Sequence, residues 1–144
     1  DKQDGKLIVT PLLNRQRIIK HQGGQLLLAG VTDYRAHTIL ESHKTDPHKA
    51  IAGAAPSDVK ILLAHQPKSI FEATKAGFDL QISGHTHGGQ YYPINFIAEM
   101  VHPYIKWLYK HEDKTWIYVS PGTGYWGPPI RLGTEPEITM FRLS

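Results

Sequence analysis

A strand–helix–strand segment in the middle of the chain constrains the fold more than any other feature of the sequence. Two apolar runs, residues 60–64 and 80–83, flank residues 69–76, whose apolar side chains recur at helical spacing. A crossover helix between two strands of one sheet makes the strands parallel, so both end at the same edge of that sheet. We therefore expect His65 and residues 84–90, which follow the two runs, to lie side by side.

The remaining sequence predicts further strands and helices around this unit. Gln22-Gly23-Gly24 supplies the left-handed positions of a tight turn. Asp46 followed by Pro47 predicts the N-cap of a short helix that ends near Gly53. Strands are predicted at residues 7–9, 17–20, 25–31, 115–120 and 137–143, and a helix interrupted by Pro103 at residues 95–110. Together these elements predict an α/β fold with one core.

The composition of the chain limits the kinds of metal site and of binding partner that are expected. The chain of 144 residues contains no cysteine, so disulfides and thiolate metal sites are excluded, and a metal ion would be held by imidazole or oxygen. The formal charge of +3 suits anionic surfaces, but the basic residues are scattered, and we expect no nucleic acid as a structural partner. No apolar run reaches the roughly 18 residues of a membrane-spanning helix.

The segment Ser83-Gly84-His85-Thr86-His87-Gly88-Gly89-Gln90 carries the strongest chemical signal. Neutral imidazole binds Zn, Fe, Mn or Ni, and two histidines one residue apart can project from a tight loop toward neighbouring coordination positions. Gly84, Gly88 and Gly89 favour such a loop because they allow backbone conformations that a Cβ obstructs. By itself the pair also fits two polar residues on a turn. With His65 beside it, the pair predicts three converging histidines.

Motifs in and around this region resemble those of a known enzyme family. His65-Gln66-Pro67 and the segment from Ser83 to Gln90 resemble the last two metal motifs of the calcineurin-like metallophosphoesterases, with the spacing of that family. Leu28 to Asp33, Tyr118 to Gly124 and Trp126 to Gly133 resemble a bacterial branch in which the catalytic domain often follows a membrane anchor or export signal. The resemblance covers nearly the whole chain. It implies an α/β/β/α sandwich of two facing sheets with a mixed sheet.

The resemblance also implies a function and a set of ligands. His65 and His85 would bind one ion of a pair of divalent metals, Mn, Fe or Zn, and His87 would bind the other. Two such ions hold the phosphoryl oxygens, generate a nucleophilic hydroxide and stabilise the leaving oxygen. The implied function is metal-dependent hydrolysis of a phosphoester substrate, and the implied location is at a membrane or outside the cell.

The sequence lacks the earlier motifs that complete the dinuclear centre in this family. Gly-Asp-x-x-Asp and Gly-Asn-His have no counterpart, because no Gly-Asp pair occurs and neither Asn14 nor Asn95 precedes a histidine. Asp46-Pro47-His48 matches the family's Asp-x-His formally, but it follows a polar loop, and we interpret it as a helix cap. Because the chain also starts without methionine, we expect residues 1–144 to be the C-terminal portion of a metallophosphoesterase domain, with little hydrolysis alone.

An incomplete sandwich would leave much of one sheet face uncovered, so we expect a partner for that face. The missing N-terminal half of the domain or a second copy of the chain would serve. The rival hypothesis, from another functional class, is a non-catalytic module that binds one metal ion or an anionic partner.

Several other residues call for an interpretation. Arg131 is the candidate for binding the substrate phosphate, because a guanidinium matches phosphate in a bidentate manner. Asp33 is expected to form a turn and Lys68 to open a helix. The apolar stripe of residues 95–110, formed by Ile97, Val101, Ile105 and Leu108, favours core packing. The alternatives are a membrane interface or contact with the missing half of the fold. We expect solvent exposure and no role in a site for His21, His37, His43, His102 and His111.

Overall fold

The molecule is organised around a mixed sheet, seen in a computed structural model that describes residues 2–3, 6–7, 9–112 and 114–143. The strands are β1 (Lys2–Gln3), β2 (Lys6–Leu7), β3 (Arg15–His21), β4 (Gly24–Gly30), β5 (Val59–Leu63), β6 (Leu80–Ser83), β7 (Trp107–His111) and β8 (Thr115–Val119). The helices are α1 (Pro47–Ile51), α2 (Ile70–Ala76) and α3 (Ile94–Val101). The sheet has six strands in the order β3-β4-β5-β6-β8-β7, and β1 and β2 pair separately.

The four inner strands of the sheet, β4, β5, β6 and β8, run parallel to one another. The edge strands β3 and β7 are antiparallel to their neighbours. This arrangement confirms the predicted α/β fold with a mixed sheet. It also brings the carboxyl ends of four strands to one edge, where ligands bind in open α/β sheets.

The predicted strand–helix–strand unit is confirmed. β5 and β6 are parallel neighbours, with Ile61 opposite Leu80, and α2 connects them. α2 ends at Gly77, whose left-handed φ of 84° allows the backbone N–H groups of Gly77 and Phe78 to reach the last helical carbonyls. The glycine therefore ends the helix where the sequence predicted.

The predicted cap of α1 is also confirmed. The Asp46 carboxylate accepts a hydrogen bond of 2.9 Å from the Lys49 backbone N–H, and Pro47 occupies the first helical position. His48 is exposed and lies 3.5 Å from the Glu72 carboxylate. The interpretation of Asp46-Pro47-His48 as a helix cap is therefore correct.

One face of the sheet is covered by α1 and α2 and carries the main core. Alternate residues of neighbouring strands point to this face, as the two-residue period of a strand requires. The core cluster consists of Leu27, Ala29, Ala50, Leu62, Ala64, Ala73 and Phe78. A smaller cluster, formed by Ile70, Ile117 and Val119 with Tyr104 against them, continues it toward β8.

The opposite face of the sheet leaves large apolar side chains in contact with solvent. The register places Ile19, Leu63, Leu108 and Trp116 on this face, and all four are exposed. Residues 137–141 cover part of it: the Tyr118 hydroxyl contacts the side chains of Glu137 and Thr139, and the Phe141 ring lies 4.9 Å from the Tyr118 ring. An uncovered face of this kind is what the sequence led us to expect.

The predicted helix over residues 95–110 is wrong in its second half. α3 ends at Val101 because His102 precedes a proline, which disfavours the helical backbone, and His102 is extended with ψ of 136°. Residues 107–111 form β7, which pairs with β8. The predicted core packing is also wrong: Ile97, Val101 and Leu108 are exposed, and of the four residues in the stripe only Ile105 is buried.

Two strand predictions also need correction. Residues 137–143 form no strand, and the segment instead contacts the Tyr118 side chain on the open face of the sheet. The strand predicted at residues 7–9 appears as Lys6–Leu7, and Ile8 lies outside the described residues. The hairpin of β3 and β4 confirms the turn at residues 22–23, since His21 pairs with Gly24.

Candidate metal centre

The loops that follow β5 and β6 bring two histidines into contact. The His65 and His85 rings meet edge to face, with centroids 5.0 Å apart. The Gly84 N–H donates to the His65 carbonyl at 3.1 Å, which continues the parallel pairing past the strand ends. Both side chains are exposed to solvent. The predicted convergence of His65 and His85 is confirmed, and an ion could reach them.

Residues 83–90, here called the histidine loop, hold an unusual backbone conformation. His85, His87 and Gln90 have left-handed φ values of 73°, 50° and 51°. Such conformations in residues other than glycine cost on the order of 1–3 kcal/mol each and persist only where their surroundings enforce them. They cluster at functional sites, so this loop is the first place to expect function.

Two glycines of the histidine loop are required by close packing. Gly88 and Gly89 have left-handed φ values of 63° and 80°. A Cβ on Gly88 would lie 2.6 Å from Thr134 Cγ2, and one on Gly89 would lie 2.6 Å from Asn95 Cβ. The predicted role of these two glycines is confirmed. It is not confirmed for Gly84, which is not left-handed and has open space around its Cβ position.

The histidine loop favours neutral imidazoles. Partial burial of the His85 ring is the main cause that lowers the pKa of His85. The electrostatic effects of the neighbouring His65 and His102 lower it further, although His85 as a whole residue is exposed. Burial, then the positive charge of Arg131, lower the pKa of His87. Neutral imidazole is the form that binds metals. The electrostatics of the loop therefore suit metal ligation near neutral pH.

His102 lies at this site, although no role in a site was expected for it from the sequence. Its ring centroid is 5.3 Å from that of His85, it is half-buried, and its Nδ1 is buried without a hydrogen-bond partner. The expectation of a solvent-facing His102 is therefore wrong. No spacing in the sequence signals this position, because it depends on how the end of α3 returns to the histidine loop.

The exposure expected for the other histidines outside the motifs is correct for three of four. His111 is buried, and its Nδ1 lies 2.8 Å from the Tyr104 hydroxyl. Its burial follows from its position at the end of β7, a strand that the sequence did not predict. The three exposed residues are His21, His37 and His43.

A carboxylate is held at the same edge of the sheet. Asp33 follows β4, and its Oδ1 accepts from the Arg35 backbone N–H at 2.9 Å, which confirms the predicted turn. The Gln66 side-chain amide also donates to both Asp33 oxygens, at 3.1 and 3.3 Å. Gln66 is buried. The glutamine of the His65-Gln66-Pro67 motif thus orients an acidic group, a role that the motif alone did not reveal.

Arg131 binds the backbone around the histidine loop. Its guanidinium donates to the carbonyl groups of Pro121, Gly122 and Gly124 at 2.8, 3.1 and 2.6 Å, and to that of His87 at 3.4 Å. Arginine can satisfy several acceptors at once because its donors form a rigid fork. The side chain therefore fastens the loop after β8 to the histidine loop, and its predicted contact with phosphate stays a prediction.

Gln90 makes a second connection between the same two loops. Its side-chain amide donates to the Trp126 and Pro128 carbonyls at 2.8 and 3.1 Å, and its Oε1 accepts from the Trp126 N–H at 2.6 Å. The side chain is buried. The sequence did not predict this role, because the two segments are distant in the chain.

The donors at this edge fit a metal centre only in part. Within the portion of the chain that the structure describes, no group of three or more His, Asp and Glu side chains is arranged to hold a metal ion. His65 and His85 form a pair of accessible imidazoles, whereas His87 Nδ1 is buried without a partner. A stable pair of cations needs more ligands than these, because the ions repel each other.

Comparison with known proteins identifies relatives of this chain. A Bos taurus protein named "Transmembrane protein with metallophosphoesterase domain" is 40% identical over 96% of the chain and 33% of its own length. A Helicobacter pylori protein named "Uncharacterized metallophosphoesterase" is 43% identical over 85% of the chain and 33% of its own length. A Danio rerio protein with the same name as the Bos taurus relative is 38% identical over 83% of the chain and 28% of its own length.

The matches cover most of this chain but only part of each relative. The chain spans about a third of the length of the curated relatives that it matches. No protein-family model matches the chain. Among the described residues no helix is long and apolar enough to pass through a membrane. Most of the chain is thus similar to a segment of proteins that are named as metallophosphoesterases.

Proposed function

We propose that this chain is the C-terminal part of a metallophosphoesterase domain that hydrolyses phosphoesters with a pair of divalent metal ions. His65 and His85 would bind one ion and His87 the other. The observation that carries the proposal is the contact of the His65 and His85 rings at the carboxyl edge of parallel strands. The names of the relatives support the same reaction class.

The residues of the site support this chemistry in separate ways. The lowered pKa values of His85 and His87 keep the imidazoles neutral and able to bind a metal. When bound, Mn, Fe or Zn ions would polarise the phosphoryl group and lower the pKa of a water molecule. Asp33, oriented by Gln66, would add negative charge near the proposed metal cations. Arg131 and Gln90 fix the loop that faces the histidines.

The remaining ligands would come from outside the described residues. The chain matches about a third of each relative, which leaves room for the missing carboxylate motifs. The exposed apolar face of the sheet would be covered by that segment or by a second copy of the chain. Association with a membrane, or export, is part of the proposal because two relatives are named as transmembrane proteins.

The experiment is hydrolysis of aryl phosphate mono- and diesters by the full-length protein that contains this chain, with added Mn²⁺. We expect His65→Ala and His85→Ala each to lower kcat/KM by more than the roughly 10- to 100-fold that loss of an outer-shell partner costs. The control is His21→Ala, because His21 is exposed and lies at the ends of the strands that are farthest from the histidine loop. Full activity in both site variants would contradict the proposal.

A second experiment asks whether Arg131 binds the substrate phosphate or only supports the structure of the histidine loop. If the guanidinium binds phosphate, Arg131→Lys raises KM and leaves Mn²⁺ affinity unchanged. If it acts only through the four carbonyls that it contacts, Mn²⁺ affinity falls as well, because the histidine loop loosens. Calorimetric titration with Mn²⁺ and steady-state kinetics distinguish the two roles.

The alternative is a non-catalytic module that binds one metal ion or an anionic partner. It is favoured by the lack of a three-donor cluster among the residues that the structure describes. Metal stoichiometry decides between the two functions. Two ions per full-length protein support the hydrolase, and one ion without hydrolysis supports the module.

A further inference from the structure

An open cavity of about 280 Å³ lies directly against the histidine loop. His85, His87 and His102 are among the residues that line it. This size is close to the lower limit of small-molecule sites, which are roughly 300–1,000 Å³. A group that enters the cavity would therefore lie next to the candidate metal ligands.

Much of the remaining lining is apolar. Ile97 and Val101, one helical turn apart on α3, and Trp126 of the loop after β8 contribute to it. Ile97 and Val101 remain 56% and 54% exposed, so apolar area is still available for a ligand to cover. The backbone of Trp126 is held by two hydrogen bonds with the Gln90 side chain, and Trp126 is 65% exposed. This part of the lining is therefore apolar and available to a ligand.

Two polar side chains that line the cavity are already paired within the protein. The Thr86 hydroxyl donates to the Ile105 carbonyl at 2.5 Å. The Gln90 amide is engaged by the backbone of Trp126 and Pro128. These two groups are not free to bind a sugar or a nucleobase, and the apolar lining residues Ile97, Ala98, Val101 and Trp126 suit an apolar ligand group better than a nucleoside.

We propose that this cavity binds the apolar ester group of the substrate, an alkyl or acyl chain, while the phosphate lies at the histidines. The inference rests on the proposed function for the position of the phosphate, and on the cavity itself for the apolar group. It assigns the substrate class as phosphoesters of long-chain alcohols or acylated lipids. Ile97 and Val101 are then specificity-determining residues.

The test compares the binding of octyl phosphate and methyl phosphate to the full-length protein with Mn²⁺, measured by calorimetry. A methylene that leaves water tightens binding roughly fourfold, so burial of even two methylenes predicts at least tenfold tighter binding of octyl phosphate. Ile97→Gln and Val101→Gln should each remove most of this preference. Both residues are half exposed, so the variants should fold, which circular dichroism would verify.

Met100→Gln is the matched control, because Met100 lies on the same helix, is 87% exposed and does not line the cavity. It should keep the preference for octyl phosphate. Equal affinities of the two phosphates, or an equal loss of preference in Met100→Gln and Ile97→Gln, would overturn the proposal.

A second arm separates this inference from the proposed function. His65 does not line the cavity, so His65→Ala should abolish hydrolysis and leave the binding of 1-octanol, which has no phosphate, unchanged. Octanol binding that requires Ile97 supports the apolar cavity even if His65→Ala stays active and the hydrolase proposal fails. Absence of octanol binding in the wild type would overturn the cavity proposal while leaving hydrolysis untouched.

Discussion

The helix-covered face of the sheet and the histidine loop are held by different forces. On the covered face, Leu27 and Leu62 are fully buried against α1 and α2, and apolar burial stabilises ordinary strand and helix conformations. In the histidine loop, His85 and His87 adopt left-handed conformations that are unfavourable in themselves. The loop keeps its shape because the fold and the contacts of neighbouring loops hold it. The main core and the candidate site are therefore separate regions of the molecule.

The largest effect should come from the covered face. Leu62→Ala leaves a cavity in the core cluster and should lower the free energy of unfolding by roughly 2–5 kcal/mol. The neighbouring Leu63 points to the opposite face and is 39% exposed, so Leu63→Ala should cost much less. Urea denaturation of the two variants measures the difference. Equal losses would show that the opposite face is packed as tightly as the covered one.

A smaller effect is expected in the histidine loop. Gly89→Ala places a Cβ 2.6 Å from Asn95 Cβ at a left-handed φ of 80°, and should lower the free energy of unfolding by about 1–3 kcal/mol. The metal affinity of the loop should fall with it. Gly84→Ala is the control, since its Cβ would meet open space. If both variants bind Mn²⁺ like the wild type, the loop does not need its conformation for metal binding.

The smallest effect concerns pH. His87 and His102 are half-buried, and burial lowers the pKa of each below its ordinary value. As the pH falls through about 6.5, these histidines become protonated in the unfolded chain before they do in the folded chain. Their contribution to the free energy of unfolding is therefore full above that pH and is lost as the solution is acidified. Urea midpoints between pH 7.5 and 5 should decrease less in His102→Gln than in the wild type. Identical decreases in the two proteins would assign the acid sensitivity to other groups.

Local patterns predicted those parts of the fold that nearby residues control. The strand–helix–strand unit, the Asp46 cap and the Gly77 helix end each depend on contacts within a few residues of the chain. The convergence of His65 and His85 followed from the parallel strands, because a crossover leaves the two strand ends at one edge.

The wrong predictions concern segments whose sequence patterns fit more than one structure. Residues 107–110 have apolar side chains at spacings that suit either a helix or a strand, and the free edge of β8 decided in favour of β7. Residues 137–143 have the pattern of a strand but contact Tyr118 on the face of the sheet without pairing as a strand. Tertiary contacts thus overrode local preference in both cases.

The sequence by itself determined the parallel strands, the roles of Gly88 and Gly89 in the histidine loop and the pairing of His65 with His85 at the sheet edge, because short spacing and connection length fix them. Only the tertiary structure decided that His102 joins the site, that Gln66 holds Asp33, and that Arg131 and Gln90 bind the facing loop. These contacts join segments far apart in the chain. Their geometry depends on how helices and loops pack over the sheet, and no local pattern specifies that packing.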